Sequence, residues 1–179
     1  NDVEEYIENI FTFIDPLIDL DFERTYLSSL ATIDIYKTNI YDGLGEFSSI
    51  SGKAYIPWDP FSNNGSTNDS YFVRSEVIWE ESNTSGFLTD YPTLDGSTGN
   101  IILHEVGHFL GLSHGSNYFN PYDSRYTSND TRMSYNYIHQ GRNHPTFTSL
   151  DIEALQVIWG IEKGSSPTAI ALSSLNFNE

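Results

Sequence analysis

The run His104-Glu105-Val106-Gly107-His108-Phe109-Leu110-Gly111-Leu112-Ser113-His114 constrains this chain more than any other stretch. Two histidines four apart on a helix stand about 40° apart around its axis, at roughly 100° per residue, so both imidazoles reach one ion on one face. Gly111, three residues past His108, can take the positive φ that ends a helix, after which the chain can turn so that His114 supplies a third nitrogen. Three neutral imidazoles leave the fourth position of a tetrahedral zinc open to water, which is the arrangement of a catalytic site and not of a closed structural one. The expected metal ligands are therefore His104, His108 and His114. Zinc lowers the pKa of a bound water from 15.7 to roughly 7, so Glu105, beside the ligands, can take that water's proton and hand it to a leaving amine. The two helical histidines alone would fit an ordinary helix; the extension to Gly111 and His114 argues against coincidence.

At 179 residues the chain fits one domain, or one domain plus a tail, and can bury a real core. The balance of 8 Lys+Arg against 25 Asp+Glu gives a formal charge of −17, which argues against nucleic acid or an anionic membrane surface as a partner. Solubility, salt tolerance or a structural calcium ion fit better, with Asp59 to Asp69 and Tyr118 to Asp130 as the Asp-rich stretches. There is no cysteine, so metal ligands must be His, Asp, Glu or Tyr. No apolar run approaches the ~18 residues that span a bilayer, and the amino terminus shows no basic-then-apolar signal pattern.

Along the chain, Val3, Tyr6, Ile7, Ile10, Phe11 and Ile14 recur at spacings of three and four, predicting an amphipathic helix over 2–14 that Pro16 bounds. Short apolar and β-branched runs predict strands at 22–30 and 31–38, where Ile33 and Ile35 alternate with Asp34 and Tyr36, and again at 52–58 and 71–79. The histidine helix is expected to begin near Ser97 to Asn100, with Ile102, Val106, Phe109 and Leu110 facing the core. Residues 115–132 show little periodicity and read as an irregular surface segment. A last helix is expected over 149–159, with Leu150, Ala154, Val157 and Ile158 on one face, Thr148 and Asp151 as a capping box, and Gly160 at its end. Residues 163–179 then read as a linker and the first strand of a further β-rich module.

At this point the chain resembles the metzincin zinc endopeptidases, which carry His-Glu-x-x-His-x-x-Gly-x-x-His followed by a tight turn containing methionine. Arg132-Met133-Ser134-Tyr135 holds the only methionine of the chain and is similar to the Met-turn of the serralysin-like branch. The resemblance implies that Met133 lies beneath the metal as a hydrophobic base. It also implies that Tyr135 ligates the ion and swings away to stabilise an oxyanion; a phenol can do either. Gly52 to Pro57 resembles the edge strand that forms the upper rim of the cleft, where a peptide would add a strand. Thr148 to Gly160 resembles the closing helix. The implied fold is α/β (α+β), a zincin with a twisted mixed, mostly parallel sheet, an active-site helix and a C-terminal helix over 1–162. The implied activity is that of a secreted or cell-surface bacterial endopeptidase, monomeric, acting on protein or peptide substrates.

The chain departs from the pattern in several places. Gly115 follows the third histidine where serralysins usually have proline, their glycine-rich calcium repeats are missing, and a first strand ahead of the opening helix is not evident. Ser166 to Glu179 instead resembles the opening of a cadherin-like or immunoglobulin-like repeat. Two other functions compete. An inactive metzincin-like module for adhesion or binding would be marked by a lost ligand or lost glutamate, and neither is lost. Gly111-Leu112-Ser113-His114-Gly115 also fits the nucleophile elbow of a serine hydrolase using Ser113, but that motif needs a strand leading into it, and here a helix does. His139 and His144 read either as exposed polar residues or as lining the loop beneath the specificity pocket, which Asn136 to Phe147 would shape.

Overall fold

Helix α1 (Asp2–Ile14) turns Tyr6, Ile7, Ile10, Phe11 and Ile14 into the core, the stripe that its three-and-four spacing predicts. The structure, a computed structural model, describes residues 2–27, 31–37, 52–55, 75–79, 97–114, 120–136, 146–164 and 169–174. The acidic stretch 59–69, His139, His144 and most of the segment 136–147 lie outside the described residues. A single 3-10 turn, Asp15–Leu17, carries Pro16 and ends α1. The Asp15 carboxylate accepts from Phe22 N at 2.9 Å, which fixes the entry into strand β1 (Asp21–Arg24). Arg24 on that strand reaches back to Glu4 and Glu8 on α1.

The remaining strands are β2 (Ile33–Lys37), β3 (Gly52–Tyr55), β4 (Ser75–Trp79) and β5 (Ala169–Ser174). They form one sheet of order β1-β5-β2-β4-β3, parallel throughout except for β3, which runs antiparallel to β4 at the edge. The sheet is thus mixed and mostly parallel. Ile33 and Ile35 are buried, and Asp34 between them is only 4% exposed. The alternation along β2 therefore does not mark one wet face; a parallel strand in mid-sheet is covered on both sides.

Strand β5 departs from expectation. Residues 169–174 were expected to open a separate module, yet they lie between β1 and β2, with Asp21 opposite Ala169 and Ile33 opposite Leu172. Two short parallel strands with unpaired inner edges accept a third between them, because each added strand satisfies a row of backbone donors and acceptors.

Helix α2 (Ser97–Phe109) packs against β3, β4 and α1, and Tyr6 Oη donates to Gly99 O at 2.7 Å, tying α1 to its first turn. Helix α3 (Ser149–Trp159) begins with the expected capping box of Thr148 and Asp151 and ends at Gly160, with φ of 92°. Its Trp159 Nε1 donates to Leu110 O at 2.8 Å and its Gln156 Nε2 to Leu17 O at 2.9 Å, which seat the helix against the ends of α2 and α1. The face that α3 turns inward carries Asp151 and Leu155, whereas Leu150, Val157 and Ile158 are exposed. Asp151 sets this rotation, because its carboxylate is bonded to the facing loop and its helical neighbour Leu155 must then point the same way. No helix among the described residues is long and apolar enough to cross a membrane.

Candidate metal centre

The end of α2 builds the site. Gly111 has φ of 99°, Gly111 N donates to His108 O and Leu112 N to Gly107 O, both at 2.9 Å, so the helix closes in a Schellman motif. The left-handed residue reverses the chain and brings Leu112 O within 2.8 Å of His108 Nδ1. Two residues later His114 arrives beside the helical pair. The turn that ends the helix therefore also orients one histidine and delivers another.

The three imidazoles converge. Their ligand-capable nitrogens all lie within 4.8 Å of one another, the sole such group of metal-type side chains among the described residues. His104 and His108 meet edge to face at 4.6 Å, His108 and His114 at 4.7 Å. His104 Nδ1 stands 2.8 Å from Arg132 O. A carbonyl can only accept, so this contact and the one to Leu112 O put a proton on Nδ1 of both rings and leave Nε2 as the lone-pair nitrogen. His104 Nε2 and His114 Nε2 are 3.3 Å apart. Two nitrogens about 2.05 Å from a tetrahedral ion stand about 3.3 Å apart, so the donor set fits a divalent metal of zinc's size. Burial, with lesser contributions from His108 and His114, lowers the pKa of His104 from 6.5 to about 3 against the opposing pull of the Arg132 carbonyl. His104 is thus neutral, as a ligand must be, across the physiological range.

Met133 packs against α2 at Gly107, next to His108 in the chain. It is 1% exposed, and its Sδ would be 2.7 Å from a Cβ added at Gly107, between the two helical histidines. Phe147 Cε1 would be 3.3 Å from the same atom. Gly107 lets the methionine approach the helix backbone, a role signalled in the sequence by a glycine inside an apolar helix, where it costs about 1 kcal/mol without a packing reason. Met133 sits in a tight turn closed by Ser134 N to Thr131 O at 3.2 Å.

Asp151 holds that turn from behind. The carboxylate is 2% exposed; Oδ1 accepts from Thr131 Oγ1 at 2.6 Å, and Oδ2 from Arg132 N at 3.0 Å and Thr148 N at 2.9 Å. Thr131 Oγ1 in turn accepts from Met133 N at 3.1 Å. The Arg132 guanidinium donates to Thr146 O at 3.0 Å and Ser128 O at 2.9 Å. A residue legible in the sequence only as a helix cap is therefore the anchor of the turn whose Arg132 carbonyl orients His104.

Tyr135 is brought to the histidines, with its ring centroid 5.2 Å from those of both His104 and His114. Glu105 is buried on α2 next to His104. Ser113 is exposed on the turn that follows the helix, with no strand leading into it, so the context of a nucleophile elbow is absent there. Within the described part of the acidic loop, the Arg125 guanidinium holds the Asp123 carboxyl down at about 2, and the Thr127 hydroxyl and backbone lower that of Asp130. Both carboxylates are already engaged with protein donors. Compared with known proteins, the chain matches no protein-family model, no curated protein and no solved structure.

Proposed function

We propose that this chain is a zinc-dependent endopeptidase of metzincin type, with His104, His108 and His114 holding the ion and Glu105 as general base and acid. The observation that carries the reading is the convergence of the three imidazoles with Nδ1 of His104 and His108 pinned to backbone carbonyls, beside a tyrosine and on a helix against which a buried methionine packs. When bound, zinc would supply a water acidified to near neutrality and a polarising charge for the scissile carbonyl.

The chain's own residues supply the rest. Glu105, buried and adjacent to His104 along α2, takes the proton of the attacking water and returns it to the leaving amine, so one carboxylate serves both halves of the hydrolysis. Tyr135 donates its phenolic hydrogen to the oxygen that gains charge as the carbonyl becomes tetrahedral. Edge strand β3 offers a row of backbone groups to which an extended peptide can add as a further strand, which suits protein substrates without demanding one side chain. Secretion accords with such an activity.

The test is cleavage of casein or a mixed peptide library by wild type and Glu105→Ala, each with and without a chelator. Loss of the base should lower turnover by about 10²- to 10⁴-fold, and chelation should abolish it reversibly. Equal cleavage by the variant, or indifference to the chelator, would sink the mechanism. Zinc bound at one equivalent without any cleavage would favour an adhesion or binding module.

A further inference from the structure

Tyr122 is not accounted for by the reading above, yet it stands against the residue on which oxyanion stabilisation depends. Its ring meets that of Tyr135 edge to face, with centroids 5.3 Å apart and planes at 85°. Tyr135 is thus bracketed by His104 and His114 on one side and Tyr122 on another. Tyr122 is 64% exposed, whereas Tyr135 is half-buried.

The backbone under both rings is fixed. Tyr135 N donates to Pro121 O at 2.8 Å, and Tyr122 N to Asn120 Oδ1 at 3.0 Å. Asn136 Nδ2 donates to Asp123 O at 2.8 Å and Tyr126 O at 2.9 Å, and Ser134 Oγ to Tyr126 O at 3.0 Å. The loop 120–126 and the turn 131–136 therefore form one hydrogen-bonded unit, and any movement of the Tyr135 phenol must come from rotation about its own side-chain bonds. The ring packed edge to face against that phenol is Tyr122, which solvent exposure leaves able to turn aside.

We propose that Tyr122 is a positioning residue for Tyr135: its ring, packed edge to face, holds the Tyr135 phenol beside His104 and His114 and yields when the phenol swings out. The proposal rests on the catalytic reading of Tyr135. An edge-to-face aromatic pair is strong enough to bias such an in–out equilibrium by roughly two- to ten-fold. Ring geometry supplies the bias, so phenylalanine should replace Tyr122 and alanine should not.

The test uses the whole chain loaded with copper(II), in which a phenolate bound to the metal gives a visible charge-transfer band, and the zinc-loaded chain for peptide cleavage. Tyr135→Phe should abolish the band and lower kcat with KM little changed. Tyr122→Ala should weaken the band roughly two- to ten-fold and alter kcat by a similar factor, while Tyr122→Phe keeps both near wild type. Thermal melts of the Tyr122 variants should match wild type, since the side chain is mostly exposed. A band and kcat that respond to Tyr135→Phe but not to Tyr122→Ala would overturn the proposal and leave the Tyr135 reading standing. A band and kcat unmoved by Tyr135→Phe would remove that reading and the proposal with it.

Discussion

Asp151→Ala gives the sharpest test of how the site is held. The side chain is 2% exposed and accepts three unshared hydrogen bonds, from the Thr131 hydroxyl, Arg132 N and Thr148 N. The Thr148 hydroxyl approaches both Asp151 Oδ2 and Asp130 O at 2.8 Å, but it has one proton to give and counts at most as half. Hydrogen bonds to a charged acceptor contribute about 1.5–3 kcal/mol each, and of the donors left behind Thr131 is buried and the other two are half-buried. Discounting for non-additivity and for water entering the gap, the alanine variant should lose about 4 kcal/mol. Asparagine can keep its oxygen on the two backbone donors and turn its amide toward Thr131 Oγ1, so Asp151→Asn should lose only about 1–2 kcal/mol. Urea unfolding at constant m-value measures both. Zinc affinity, by competition with a coloured chelator, should fall about 10- to 100-fold in the alanine variant, because Arg132 O no longer fixes the His104 ring. An alanine variant that loses less than about 1.5 kcal/mol, or binds zinc as wild type does, would refute the reasoning.

Two further outcomes follow from the same geometry. Gly107→Ala should destabilise by about 1–2 kcal/mol despite the better helix propensity of alanine, because the new methyl group meets the buried Met133 sulfur; a raised melting temperature would mean that Met133 yields freely. In metal-free protein, the pKa of His104 lies well below its ordinary 6.5, so the unfolded chain binds the proton more readily. Its contribution is full above about pH 6.5 and is lost as pH falls towards about 3, by at most about 1.4 kcal/mol per pH unit. Melting temperatures of wild type and His104→Gln between pH 7.5 and 4.5 measure this, and parallel profiles would contradict it.

What was legible in the sequence was what is encoded over a few residues. Gly111 and Gly160 stand at positive φ where helices end, and Thr148 with Asp151 closes a capping box, because each needs only its near neighbours. The three histidines come together for the same reason: helical period and one turn suffice. Less was legible wherever a distant partner decides. Leu150, Val157 and Ile158 form an apolar face by period, but the bonds of Asp151 to the loop rotate that face outward. Asp34 reads as solvent-facing in an alternating strand, yet it is buried, in a strand that lies mid-sheet between two parallel neighbours. Met133 was legible as a turn residue and Gly107 as a helix glycine in need of a packing reason, whereas that each is the other's partner is a contact across elements that no local pattern carries.

The placement of β5 bears on how the molecule comes into being. Its partners Asp21 and Ile33 belong to β1 and β2, and they pair with Ala169 and Leu172, far along the chain. Closing so long a loop costs little in stability, since each doubling of length adds only about 0.6 kcal/mol, but pairings of such high contact order form slowly. A chain that has not yet folded past β4 lacks the strand that joins β1 to β2. Strand edges open in that state are the ones at which another copy's strand can pair.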